Sequence, residues 1–286
     1  MKKNIKAQNA VETLGIFARN ICFRSVVFIA FAAVTSSFVM AKTSNDNKPT
    51  ITLYSTSFEQ PTFQVGDQLL GLDNWSTAIP PFLNPEAAKI TRDAASHQKQ
   101  SVEIFGADLI GSEGITAPYD AVGSYRRPLD QTINAKNSRV HVDADLLLET
   151  NQDATPGQFF SLTIAARSGN GETLGEVGLS SEGVAEAFDF NAIPGAAPTF
   201  FTPISLNQWH HISMLIDYEN RTTSYYIDDQ YLGTVDAPST SNVLARVAMV
   251  VYARPDGDAS GGEDNNRSNY AARFDKFRVR VNSAQN

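Results

Sequence analysis

The sequence predicts an all-β fold built as a two-sheet antiparallel sandwich, and three observations carry that prediction. From Ile51 onward, runs rich in β-branched and aromatic residues alternate with clusters of Gly, Pro, Asn and Asp. No long segment places apolar residues at helical spacing. Eleven short strand candidates succeed one another without a fixed repeat, which excludes a propeller or solenoid and fits a sandwich.

At the amino end, Lys2, Lys3, Lys6, Arg19 and Arg24 precede an uncharged run from Ser25 to Ala41. That run is at the short limit for crossing a bilayer. Val39, Met40 and Ala41 suit a signal peptidase, so residues 1–41 are expected to be an export signal cleaved before Lys42. Export then delivers the mature chain to the periplasm, the cell surface or the medium, with no membrane span left after cleavage. Residues 42–50 are polar and interrupted by Pro49, as in a linker; the sandwich occupies 51–282, and 283–286 form a tail.

The strand candidates are 51–59, 100–109, 121–129, 139–149, 158–167, 173–180, 184–191, 209–218, 224–234, 243–253 and 273–281. In 139–149, Val140, Val142, Ala144, Leu146 and Leu148 share one phase, while Arg139, His141, Asp143, Asp145 and Glu149 share the other. The first set faces the core and the second is expected to be solvated. In 209–218, Ile212, Met214 and Ile216 mark the core face, with His210 directed inward, His211 exposed and Trp209 in the core. A polar turn at Glu219, Asn220 and Arg221 and a tight turn around Asp228, Asp229 and Gln230 delimit the strand that follows.

Charge and cysteine content exclude several functions. The whole chain has a formal charge of -8, and removing the four net positive charges of residues 1–41 takes it to -12. A chain this acidic repels nucleic acid, and no clustered basic motif is visible in the sequence. The single cysteine, Cys22, leaves with the signal, so the mature chain has neither a disulfide nor thiol chemistry. The motifs G-x-S-x-G and G-x-x-x-x-G-K-[ST] are absent. The acidic stretch 256–269 opens like a calcium-binding EF-hand loop but has Arg267 where the bidentate Glu belongs, so it reads as a solvated loop.

The segment WHHISMLIDYENRTTSYYIDDQYLGTV, from Trp209 to Val235, resembles the hairpin of laminin-G-like and concanavalin A-like lectin/glucanase jelly rolls, with Asp229 where that pattern usually has Gly. Residues 57–75 resemble the opening strand and loop of those sandwiches, SVEI from Ser101 their next strand, and NYAARFDKFRVRV their closing one. The resemblance implies a structural Ca²⁺ held by Glu59 near the start and Asp275 in the final strand, both of which fall on apolar alternation phases.

It also implies a glycan or polysaccharide partner. Sugar recognition needs aromatic faces and planar polar groups, and Trp75, Tyr119, Tyr125, Arg126, Tyr252 and Arg254 lie near predicted strand ends. Laminarinase-type glycosidases carry glutamates at E-x-D-x-E spacing, whereas the matching phase here reads His141, Asp143, Asp145, Leu147. Jelly-roll polysaccharide lyases use an Arg, a His or Gln and a Tyr, for which Arg126, His141 and Tyr252 are the candidates, although the lyase motifs R-x-E-x-R and Q-x-H are absent. The expectation is a non-catalytic carbohydrate-binding or adhesive module, with a lyase or glycosidase, or a structural envelope protein, as the alternatives.

Overall fold

The structure is a computed structural model that describes residues 50–77, 84–106, 108, 121–134, 139–150, 159–189, 199–236, 243–254 and 270–282. The proposed signal, nearly all of the proposed linker, Tyr119, the acidic stretch 256–269 and the tail lie outside them. Among the described residues no helix is long and apolar enough to cross a membrane.

Two antiparallel sheets form the sandwich. The eight-stranded sheet runs β13 (Gln230–Asp236), β12 (Thr222–Ile227), β11 (Trp209–Asp217), β6 (Arg139–Thr150), β15 (Tyr270–Asn282), β4 (Ser101–Phe105) and β3 (Ala88–Thr91). One edge of β15 pairs with β6, and the other is shared between β4 and β1 (Thr50–Thr56). The seven-stranded sheet runs β10 (Phe200–Pro203), β9 (Val184–Ala187), β8 (Thr173–Ser180), β7 (Phe159–Ser168), β14 (Val243–Arg254), β5 (Ala121–Asn134) and β2 (Ser76–Thr77).

Strand alternation builds the core between the sheets. Val140, Val142, Ala144, Leu146 and Leu148 of β6 are buried against Val247, Met249 and Val251 of β14 and Leu162 and Ile164 of β7. Ile212, Met214 and Ile216 join them, as their phase predicts. Each such side chain contributes roughly 1.5–3 kcal/mol on leaving water. Asp228 and Asp229 turn β12 into β13 with φ of 48° and 62°, the left-handed pair that a two-residue hairpin demands. Asp tolerates that region, and the Asp228 carboxylate ties the turn back by accepting from the His211 amide at 2.9 Å.

Two phase assignments need correction. Asp275 does not share the face of Phe277. A bulge between Asp275 and Arg278, with Lys276 at φ 52°, reverses the alternation, so Phe274 and Phe277 both enter the core and Asp275 stands opposite Asp145 on the outer face. Glu59 lies beyond the end of β1, not on its phase. The short strands β2, β3 and β10 went unpredicted, because two to four residues cannot show a period.

Candidate functional site

The two outer faces of the sandwich differ in how their charges are met. On the eight-stranded sheet the charges of the central strands answer one another. Asp143, fully buried, accepts from Arg278 Nε at 2.7 Å and Arg280 Nη2 at 3.1 Å. Asp145 accepts from Ser96 Oγ at 2.7 Å, lies 2.7 Å from His211 Nδ1, and has Lys276 at 3.6 Å. The hydrogen bond to Asp145 holds His211 above the usual imidazole range, against its partial burial. Arg273 bridges Glu149 at 2.7 Å and Glu103 at 2.6 Å, and Arg139 pairs with Asp217 at 2.9 Å. The face expected to be solvated is therefore a cross-strand ion network. A pocket of about 370 Å³ opens beside it, lined by Trp209, His211, Lys276 and Asp145 among others.

The outer face of the seven-stranded sheet has a different composition. Register places Arg126, Ala248, Ala165 and Glu176 in one row across β5, β14, β7 and β8. A second row holds Ser124, Val250, Thr163, Gly178, Glu186 and Phe201, and a third brings Arg246 beside Arg167. Its floor is small: Ala165, Ala248, Val250 and Thr163 are at most 1% exposed. At an interstrand spacing of ~4.8 Å, the five steps from Arg126 to Phe201 span about 24 Å.

Polar groups are set into that floor, Glu176 and Glu186 being 1% and 5% exposed. Glu176 Oε1 accepts from Tyr252 Oη and from Thr163 Oγ1, each at 2.7 Å. Its Oε2 has no hydrogen-bond partner and lies 3.5 Å from Arg167 Nη2. Burial pushes the Glu176 carboxyl up, against the pull of Arg167 and the two hydroxyls. Burial also pushes Glu186 up to about 7, with Ser180 opposing and Glu182 adding to it. Tyr252 is raised by its own burial and then by Glu176, so the phenol holds its proton and donates it. Arg126 donates to Ser124 Oγ at 3.2 Å, and burial followed by the charges of Arg246 and Arg167 lowers its proton affinity. At the sheet edge Phe201, 70% exposed, presents an aromatic side chain to solvent.

No family model matches the sequence, and no curated protein sequence matches it. Solved structures are similar to it. The carbohydrate esterase vb_24B_21 from Shiga toxin-encoding bacteriophage phi24B is 12% identical and superposes with a TM-score of 0.52, covering 82% of this chain and all of that one. The fold is a concanavalin A-like jelly roll. A family 7 alginate lyase in complex with substrate (9% identity, 76% of this chain and 97% of that one, TM-score 0.49) is also similar. So is LamA from Z. galactanivorans in complex with laminaritriose and laminaritetraose (13% identity, 80% and 98%, TM-score 0.47).

The jelly roll separates several residues that the sequence had grouped. Arg126 and Tyr252 lie on the outer face of the seven-stranded sheet, whereas His141 lies on β6 of the other sheet, where burial and Arg280 hold its imidazole below the usual range. The Arg–His–Tyr lyase trio is therefore divided between the two sides of the sandwich. All four histidines of the chain belong with the eight-stranded sheet: His141, His210 and His211 on its strands, and His97 in a turn that donates to Asp275 at 2.8 Å.

Trp75 and Tyr125 are core residues, 1% and 0% exposed, and cannot offer a face to a sugar. Trp209, expected in the core, instead stands on the outer phase beside the pocket. His210 is buried as expected, its ring nitrogens 2.7 Å from Asp228 and 2.8 Å from the Ser205 carbonyl oxygen. Arg254 ends β14; its side chain, like Tyr119, lies outside the described residues.

Glu59 and Asp275 are brought to one turn. Glu59 Oε1 accepts from the amides of Lys99 and Gln100 at 2.7 and 2.8 Å. Asp275 accepts from the amides of Ser96, His97 and Lys276 at 3.0, 2.8 and 2.6 Å. Among the described residues no cluster of three His, Cys, Asp or Glu could hold a metal ion. Sequence reasoning missed Arg167, Glu176, Glu186, Phe201 and Arg246, which come from five strands and share no local motif.

Proposed function

We propose that this protein is an exported, non-catalytic carbohydrate-binding module whose ligand lies across the outer face of the seven-stranded sheet. One observation carries the reading. The outer face of the seven-stranded sheet carries the half-buried Arg126 and Tyr252 and ends in the exposed Phe201, while the charges on the opposite face are engaged with one another. Aromatic faces for C–H packing and planar polar groups for hydroxyls are what a sugar site needs. The similarity to a structure described as a carbohydrate esterase agrees with this, as an analogy of fold.

The face that carries Arg126 and Tyr252 holds no histidine, so an Arg–His–Tyr lyase trio is not assembled there, and the reading taken is binding. A glycan array run beside reducing-sugar and unsaturated-product assays on a polysaccharide panel tests the reading. Binding without turnover is expected. Turnover abolished by Tyr252→Phe or Glu176→Gln would convert the module into an enzyme, and silence in every assay would leave the structural envelope role.

The same reading includes a structural Ca²⁺ at Glu59 and Asp275. The amides that now hold these carboxylates already provide the bracing a metal would supply, so calorimetry with a chelator distinguishes the two. Bound metal raises native-state stability by mass action, and a chelator is then expected to lower the melting temperature. An unchanged melting curve removes the metal from the account.

A further inference from the structure

Resting on the carbohydrate-binding reading, we infer that Arg126, Arg167 and Arg246 form a subsite for the anionic group, carboxylate or sulfate, of an acidic saccharide. The three arginines lie on adjacent strands. Arg246 on β14 is registered against Arg167 on β7, and Arg126 on β5 is registered against Ala248, two residues further along β14. Like charges placed side by side on a sheet destabilise it unless something neutralises them.

Among the described residues the neutralisation is incomplete. Arg167 reaches Glu176 Oε2 at 3.5 Å, and Glu176 is also held by Tyr252 and Thr163. Arg126 hydrogen-bonds only the Ser124 hydroxyl, and Arg246 forms no ion pair with a described carboxylate. The Nε atoms of Arg167 and Arg246 are buried without partners. Among the described residues, three guanidinium groups with Glu176 as their one ion-pairing carboxylate leave a local excess of positive charge in a chain whose overall charge is negative. Guanidinium donors match the paired oxygens of a carboxylate or sulfate, and a partly desolvated setting strengthens that match. The subsite adjoins the half-buried Tyr252, so one bound chain could place an acidic group among the arginines and a ring against that phenol.

Titration calorimetry of the mature protein with a uronic-acid oligosaccharide, a sulfated oligosaccharide and a neutral glucan oligosaccharide of equal length tests the inference. One acidic ligand is expected to bind at least tenfold more tightly than the neutral one, with affinity falling as salt rises, and the acidic arm that binds more tightly identifies the anion. Arg126→Gln/Arg246→Gln is expected to erase the preference for the acidic ligand. Because the replaced charges repel each other, the melting temperature of this variant should not fall; a fall would give the arginines a structural role instead. Equal affinity for acidic and neutral sugars, or a preference that survives in the double variant, overturns the subsite and leaves the module reading standing. If no sugar binds at all, the module reading fails, and inorganic sulfate decides the subsite separately. It should raise the melting temperature of the wild type and not of the double variant, and an equal response in both overturns the inference.

Discussion

Trp75→Ala is expected to cost about 3–5 kcal/mol, the range for removing a large aromatic side chain from a packed core. Trp75 is 1% exposed and donates from Nε1 to Tyr54 Oη at 3.1 Å. Its ring meets Phe277 edge-on at 5.9 Å, Tyr54 at 6.3 Å and Phe58 at 6.2 Å. Removing it opens a cavity among three aromatic rings and leaves the Tyr54 hydroxyl with one partner fewer, while the Asp73 carboxylate still accepts from it at 2.9 Å. For a domain of this size the melting temperature should fall by roughly 6–20 °C, at 2–4 °C per kcal/mol. Urea denaturation reads the free energy directly, and a loss below about 1 kcal/mol would contradict this core assignment. The folded fraction of the variant should still bind the same glycans, because the indole is sealed inside the sandwich.

Gly178→Ala is expected to destabilise by about 3 kcal/mol or more, at the upper end for overpacking. A Cβ at Gly178 would lie 1.9 Å from the Leu162 carbonyl oxygen and 2.6 Å from Thr163 Cα, so the neighbouring backbone itself must move. Gly178 is paired with Thr163 on one side and Glu186 on the other, in the floor of the proposed site. Shifting β7 away from β8 would also pull Thr163 and Tyr252 from Glu176, so affinity should fall with stability. Gly169→Ala is the control. Its nearest neighbour would be Ala245 Cβ at 3.9 Å, an ordinary contact, and its stability should stay within about 0.5 kcal/mol of wild type. Equal melting temperatures for the two variants would contradict the close β7–β8 approach.

The long strands were legible because alternation extends far enough in them to be read. The core phases of β6 and β11 follow from the spacing of Val140, Val142, Ala144, Ile212, Met214 and Ile216 alone. The fate of the opposite phase was hidden. Asp143 and Asp145 look like solvated carboxylates until β15 and β11 bring Arg278, Arg280 and His211 beside them, from residues at least 66 positions away. Alternation also fails at a bulge: one inserted residue at Lys276 moved Asp275 to the other face.

The two tryptophans show how local context can mislead. Trp75, in a loop rich in turn residues, is buried because Tyr54, Phe58 and Phe277 converge on it. Trp209, the first residue of a strand whose core phase begins at His210 and Ile212, points outward because its phase is that of His211. The arginine cluster illustrates the same limit for charge. Net charge argued against a basic patch, yet topology assembles one from positions 126, 167 and 246. Of the residues that the sequence offered for a sugar, Arg126 and Tyr252 lie on the face now proposed to bind.

A rival to a ligand on the outer face of the seven-stranded sheet is Trp209 and its pocket on the opposite face. Affinity of a glycan identified on the array, measured by titration calorimetry for Phe201→Ala and Trp209→Ala, separates the two faces. Phe201 is 70% exposed at the edge of the proposed site, and Trp209 lines the pocket on the other sheet. At least a tenfold loss is expected for Phe201→Ala, about 1.4 kcal/mol, with wild-type affinity for Trp209→Ala. Wild-type affinity in Phe201→Ala together with a tenfold loss in Trp209→Ala would contradict the proposed location and move the site to the eight-stranded sheet.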